Sequence, residues 1–187
     1  MKVKQGQHVL ICGGGSGLGL GVATRLLQRG VTLSVLDLRL SDATRAELDA
    51  AVAKGGSCAF YEADVTHGAK LKHAVNAAVN VSGHPDLAFN SAGIIANKSF
   101  EDTDEATFRK VIDVNLHGSF NFAQAAVPHL KAGSRLALVA SIAGLTSNYG
   151  YTAYGVSKFG VVGLATTLRY EYAPLGIDIS VICPPEV

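Results

Sequence analysis

No uninterrupted apolar run in the sequence approaches the ~20 residues that a bilayer-spanning helix needs. Net charge is also nearly absent: 16 basic and 15 acidic residues leave +1, and they are spread along the chain. That balance offers no basic face to nucleic acid or to an anionic membrane. Cysteine is scarce and odd in number. Cys12, Cys58 and Cys183 each fall in or beside an apolar, strand-like run, where a reduced and buried thiol behaves as a small hydrophobe. They do not cluster as zinc ligands would, and the six histidines form no ligand-like pair at helical spacing, so no metal is expected. Lys2 and Lys4 precede an apolar stretch, but six glycines between Gly13 and Gly21 interrupt it, and no export signal is read there. No internal repeat or low-complexity linker is found. These absences predict a soluble, cytoplasmic protein whose partner is a small molecule.

What is present fits one compact domain over 1–187, since 48% of the residues are hydrophobic and 17% charged. Short β-branched runs alternate with longer amphipathic ones. HVLIC precedes a predicted helix from about Gly17 to Arg29, and TLSVLD one from about Asp42 to Lys54. SCAFYE leads into a helix from Val65 to Val81, LAFN into one long helix from Thr103 to Lys131, and RLALVAS into a helix from Tyr151 to Ala173 before IDISVIC. Gly30, Gly55, Gly83 and Gly176 follow the helices, where a positive φ is easiest without a Cβ, and Ser41 or Asp42 and Thr103 stand at N-cap positions. Six strands joined by right-handed crossovers predict a three-layer, doubly wound parallel sheet with its ligand at the carboxyl ends of the strands.

After the first strand, ICGGGSGLG places Gly13, Gly17 and Gly19, with Ser16 and Leu18 between them, where a helix begins. Glycine is needed there for a tight turn, for close approach of backbone N–H groups to phosphate oxygens, and for packing of helix on strand. Such a loop is also a flexible connection, but a strand precedes it, a helix follows it, and Asp37 closes the second strand near the ~20-residue distance of a ribose-binding acid. An ionised Asp37 would accept hydrogen bonds from ribose hydroxyls and repel a 2′-phosphate. Ser16 adds no positive charge, although Arg39 partly offsets the repulsion, so NAD is expected in preference to NADP.

YGVSK sets Tyr154 and Lys158 at i and i+4 on one helical face. Val161, Val162 and Ala165 continue that stripe, and a lysine facing a packed interior needs a defined partner, which a cofactor would supply. A phenol beside a cation is a candidate proton carrier near neutrality. Ser141 follows the strand RLALVA on the ligand side, where it either hydrogen-bonds a carbonyl or caps a turn. Asn115 falls on the stripe Phe108, Val111, Ile112, Leu116 and Ser119, where a buried amide serves either chemistry or a structural hydrogen bond.

Taken together, CGGGSGLG, the Asp64-Val65 pair, NSAG at Asn90 to Gly93, Asn115, Ser141 and YGVSK resemble the short-chain dehydrogenases/reductases, a family with a Rossmann fold, and the likeness runs from Val9 to Val187. The resemblance implies an oxidoreductase that passes a hydride between NAD(H) and a secondary alcohol or ketone. Tyr154 would be the acid/base, Lys158 would bind the nicotinamide ribose beside it, Ser141 would orient the carbonyl and Asn115 would support a water relay. It further implies that Asp64 and Val65 contact adenine, that Asn90 and Gly93 line the cofactor cleft, and that Pro184 and Val187 hold the nicotinamide end. A homodimer or homotetramer through the two long helices is implied too, with Val161, Val162, Leu164 and Leu168 as apolar positions.

Cys12, Ser91, Ala140 and Pro185 depart from the family pattern, and none removes a catalytic group. By the same resemblance, a cofactor-securing threonine, a helical substrate lid and a final strand would follow Val187, so the chain is expected to be truncated and IDISVIC to be an apolar edge. Two alternatives stand beside this reading. One is an NADPH-dependent reductase of long-chain lipid or acyl ketones, because CPPEV resembles the corresponding stretch of ketosphinganine reductases. The other is a dinucleotide-binding protein that does not turn over.

Overall fold

The computed structural model describes residues 3–146 and 148–185. Its strands are β1 (His8–Cys12), β2 (Thr32–Asp37), β3 (Ser57–Glu62), β4 (Leu87–Asn90), β5 (Arg135–Val139) and β6 (Asp178–Ile182). They fall on the six predicted runs and form one sheet in the order β3-β2-β1-β4-β5-β6, with every pairing parallel. The helices are α1 (Gly17–Leu27), α2 (Asp42–Ala51), α3 (Gly68–Ser82), α4 (Glu105–Ile112), α5 (Gly118–Ala126) and α6 (Thr152–Tyr172).

Alternation along the strands sends side chains to two cores. Val9, Ile11, Leu33 and Val35 meet Ala23, Leu26 and Leu27 of α1 and Leu48 of α2. Leu10, Leu36, Ala88 and Leu136 meet α3, Phe122 of α5, and Val161 and Ala165 of α6. Helices therefore cover both faces, which is why the central β1 is buried at all five positions and reads as an unbroken apolar run. Winding reverses between β1 and β4, and a crevice opens at their carboxyl ends.

Several predicted boundaries are corrected. The single helix expected from Thr103 to Lys131 is instead α4, a π-helical turn at Asp113–His117, α5, and a 3-10 turn at Val127–His129 that contains Pro128. Its cap is Asp104, whose carboxylate accepts from the Thr107 amide at 2.6 Å, because the Thr103 hydroxyl is spent on the Ser99 carbonyl. α3 starts at Gly68, since the Thr66 amide and hydroxyl both bind Asp64 and hold 64–66 in a turn. Ser41 does cap α2, and Gly30, Gly55, Gly83 and Gly176 all have positive φ.

Of the apolar positions of α6 named for an oligomer, Val161 is wholly buried, and Val162, Leu164 and Leu168 are partly buried against the core. The exposed apolar residues of that helix are Val156, Phe159 and Tyr170. Cys12 is buried as expected, whereas Cys58 and Cys183 are half-buried because β3 and β6 are the edges of the sheet. No helix among the described residues is long and apolar enough to cross a membrane.

Candidate functional site

The glycine loop joins β1 to α1 at the crevice. A Cβ on Gly13, whose φ is 79°, would run into the backbone of Ala92 in the turn after β4, and one on Gly19 would meet the Gly13 carbonyl. Side chains are thus excluded where the loop, α1 and the β4 turn touch. The Ser91 hydroxyl fastens the same junction, lying 3.2 Å from both the Cys12 and the Gly13 carbonyls. On the outer side Ser16, Gly17 and Leu18 are exposed, and nothing lies within 4 Å of a Cβ placed on Gly17. The Ser16 hydroxyl makes no capping bond, so the first amides of α1 remain available to an anion.

Asp37 ends β2 beside this loop and accepts hydrogen bonds from the Gly15 amide at 2.8 Å and the Leu38 amide at 2.7 Å. Two amides leave roughly half of a carboxylate's acceptor capacity for other donors. Asp64 follows β3. Burial would raise its pKa, but the Thr66 hydroxyl and amide and His67 outweigh that and hold it below the usual carboxylate range. Val65 turns its side chain into the core, and its carbonyl accepts from Asn121.

Asn90 is placed behind the cleft wall and not on its surface. Its amide nitrogen donates to Ser119 Oγ at 3.1 Å, and its Oδ1 accepts from the Ala92 amide. Gly93 does reach the cleft; a Cβ there would lie 3.2 Å from Asn115 Oδ1 and 3.5 Å from Lys158 Nζ. The missing side chain keeps the space over the lysine open.

Asn115 is wholly buried within the π-helical turn. Its Oδ1 accepts from the Ile94 amide at 2.8 Å, and its Nδ2 donates to the Ile94 carbonyl and to Ser157 Oγ, each at 2.9 Å. Its own carbonyl accepts from the Ser119 hydroxyl at 2.6 Å. A chain of buried hydrogen bonds therefore ties the β4 turn to α6 through Asn90, Ser119, Asn115 and Ser157. The structural half of the two readings of Asn115 is thereby realised.

Lys158 and Tyr154 share one face of α6. The ammonium is 5.6 Å from the centre of the Tyr154 ring and donates to the Val139 carbonyl at 3.0 Å. Lys158 is only 5% exposed, and burial pushes its pKa from 10.5 down to about 8, opposed by the nearby Cys183. Ser141 caps a 3-10 turn, its Oγ accepting from the Ala143 amide at 3.2 Å. The Pro184 carbonyl accepts from the Ile142 amide and brings the segment after β6 to the same place. Gly93, Ser141, Tyr154, Lys158 and Pro184 all line one cleft of about 430 Å³, with Leu18 of the glycine loop at its border. Val187 lies outside the described residues.

Sequence reasoning missed other walls of this cleft, among them Ile94, Ile95, Ile142, Asn148 and Tyr151. The Tyr151 ring meets Tyr154 edge-on, with centroids 5.4 Å apart. Sequence reasoning placed Ser119 on the Asn115 stripe without a role and missed Ser157; their bonds to Asn90 and Asn115 span 29 and 42 residues of sequence.

Three comparisons bear on this arrangement. The family model described as short chain dehydrogenase matches residues 7–187. The chain is 37% identical over 185 residues to 3-dehydrosphinganine reductase of Arabidopsis thaliana, covering 96% of this chain and 55% of that protein. It is 39% identical over 178 residues to cyclohexanol dehydrogenase of an Acinetobacter species, covering 94% of this chain and 70% of the relative. A dehydrogenase/reductase from Sinorhizobium meliloti superposes with a TM-score of 0.90 at 27% identity, over 97% of this chain and 72% of that one. The chain thus spans little more than half the length of the plant relative.

Proposed function

The chain belongs to the short-chain dehydrogenase family, and from that premise we propose that it exchanges a hydride between NAD(H) and a secondary alcohol or ketone, with Tyr154 as acid/base. The observation that carries the proposal is the convergence of Tyr154, Lys158 and Ser141 in one cleft beside the glycine loop. That loop fits a dinucleotide: Gly17 is open, the first amides of α1 are uncapped, and Asp37 stands at the end of β2. Gly13, Ser16, Gly17, Leu18 and Gly19 would hold the pyrophosphate, Asp37 the adenosine ribose, Asp64 and Val65 the adenine, and Gly93, Lys158, Pro184 and Val187 the nicotinamide end. When bound, the nicotinamide supplies or accepts the hydride.

The remaining chemistry falls to the protein. Ser141 donates a hydrogen bond to the substrate oxygen and fixes it against Tyr154 Oη. In oxidation Tyr154 takes the alcohol proton as the C–H electron pair leaves; in reduction it returns that proton to the ketone oxygen. The Lys158 ammonium, still protonated at neutral pH with a pKa of about 8, stabilises the negative charge that appears on the oxygens during transfer. Asn115 keeps Ile94 and α6 in register, and a water relay from this end of α6 would replenish the proton.

NAD is proposed over NADP because Asp37 would repel a 2′-phosphate. A homo-oligomer would use the exposed Phe108, Phe120, Val156 and Phe159 of α4, α5 and α6. A second reading, reduction of long-chain lipid ketones, draws on the likeness to the plant reductase. The test follows nicotinamide absorbance with a panel of secondary alcohols and ketones, offering NAD(H) and NADP(H) in parallel. Turnover with NAD(H) is expected; NADH binding without turnover would favour a non-catalytic dinucleotide-binding protein.

A further inference from the structure

We infer that the substrate end of the cleft selects an uncharged ketone or secondary alcohol with an apolar body, and that Tyr151 is its specificity-determining side chain; this rests on reading the cleft as a hydride-transfer site. Ile94, Ile95 and Ile142 line it, and Ile95 and Ile142 remain 58% and 43% exposed. Apolar surface left open in a concavity is what an apolar ligand covers.

Among the described residues the same walls carry little charge. Lys158 is the one charged side chain lining the cleft among the described residues, and its ammonium is the group proposed to hold the nicotinamide ribose beside Tyr154. Lys98, whose backbone bridges to Tyr151, points its own charge at Asp104, 3.6 Å away, and at the Thr107 hydroxyl. A carboxylate or phosphate on the substrate would therefore shed water and find no second cation among the described walls in exchange. The neutral polar groups, Asn148 and Ser141, suit a carbonyl or a hydroxyl.

Tyr151 is built to be a fixed wall. It stands at the start of α6, its backbone pairs with Lys98, and the Lys98 amide donates to the neighbouring Gly150 carbonyl at 2.8 Å. The residue is half-buried, its ring crosses the Tyr154 ring at 72°, and both line the same cleft, where Tyr151 presents an aromatic surface to the substrate body. An aromatic wall held by backbone on two sides discriminates by shape at little entropic cost.

The experiment titrates the protein saturated with NADH with two ketones, cyclohexanone and 4-oxocyclohexanecarboxylate, reading the change in NADH fluorescence. Wild type is expected to bind the neutral ketone at least about tenfold more tightly than the carboxylate. Tyr151→Ala should weaken cyclohexanone about tenfold, Tyr151→Phe should restore it, and NADH affinity should stay the same in both. Ile95→Arg, at an exposed position, should bring the carboxylate level with the neutral ketone. Equal or tighter binding of the carboxylate by wild type, binding of neither ketone to the NADH complex, or an unaltered Tyr151→Ala would overturn the inference alone. Failure to bind NADH would overturn the hydride-transfer reading and the inference with it.

Discussion

Asn115→Ala removes an amide that makes three hydrogen bonds without changing any charge. It leaves the Ile94 amide, the Ile94 carbonyl and the Ser157 hydroxyl short of a partner. A buried polar group left unsatisfied costs about 1–3 kcal/mol. Ile94 is only half-buried, so water can reach it, and the Ser157 hydroxyl keeps its bond to the Tyr154 carbonyl. The lower end of the range therefore applies to each group, and the total is about 3 kcal/mol. For a domain of this size that lowers Tm by about 6–12 °C. Because the freed segment carries Gly93 and Ile94 into the cleft, NADH affinity should fall as well. Thermal unfolding followed by circular dichroism, with an NADH titration on the same samples, measures both effects. A loss below about 1 kcal/mol would refute the view that Asn115 holds the cleft wall to α6.

Lys158→Met should inactivate the protein yet stabilise it: the fall from 10.5 to about 8 corresponds to about 3 kcal/mol of protonation penalty at pH 7, of which the lost bond to Val139 returns about 1 kcal/mol. Its sign shows in the pH dependence. Between about 8 and 10.5 the unfolded chain holds a proton that the folded chain has released, so wild-type stability rises across that window, and the variant should lack the rise in a chemical-denaturation series. Gly19→Ala should abolish NADH binding by pushing the loop off the β4 turn, whereas Gly21→Ala, which adds a methyl into open space inside α1, should raise stability by up to about 1 kcal/mol. Asp37→Ala should weaken NADH about 10- to 100-fold in calorimetry and improve NADPH relative to it, by removing a charged acceptor and a repulsive charge; an unchanged preference would discard the assigned role.

The sheet was legible because its signal is local. Each of β1 to β6 is a short, largely apolar run of four to six residues, and parallel burial makes the central ones continuous. The π-helical turn around Asn115 was not legible, since it keeps the apolar stripe of an ordinary helix and shows only in the backbone, where the Gly118 amide donates to the Asp113 carbonyl five residues back. Thr103 and Asp104 both satisfy the chemistry of an N-cap, and the choice between them is made by the Ser99 turn upstream. At the site, Tyr154 and Lys158 could be paired from their i, i+4 spacing together with the apolar stripe that continues through Val161 and Ala165. Tyr151, Ile95 and Ile142 could not, because the cleft they line is assembled from three loops brought together by the sheet. Of the apolar positions of α6, Val161 is buried and Val162, Leu164 and Leu168 are partly so, and the exposed Val156 and Phe159 were not singled out from the sequence.

The most direct test of the central claim is Tyr154→Phe, a substitution that deletes one hydroxyl and leaves the ring against Tyr151 and Lys158. Turnover of the best secondary alcohol and NADH affinity are measured on the same preparation. The account predicts a fall in kcat of about 100-fold or more with NADH affinity unchanged; a variant that binds NADH and turns over like wild type would contradict it.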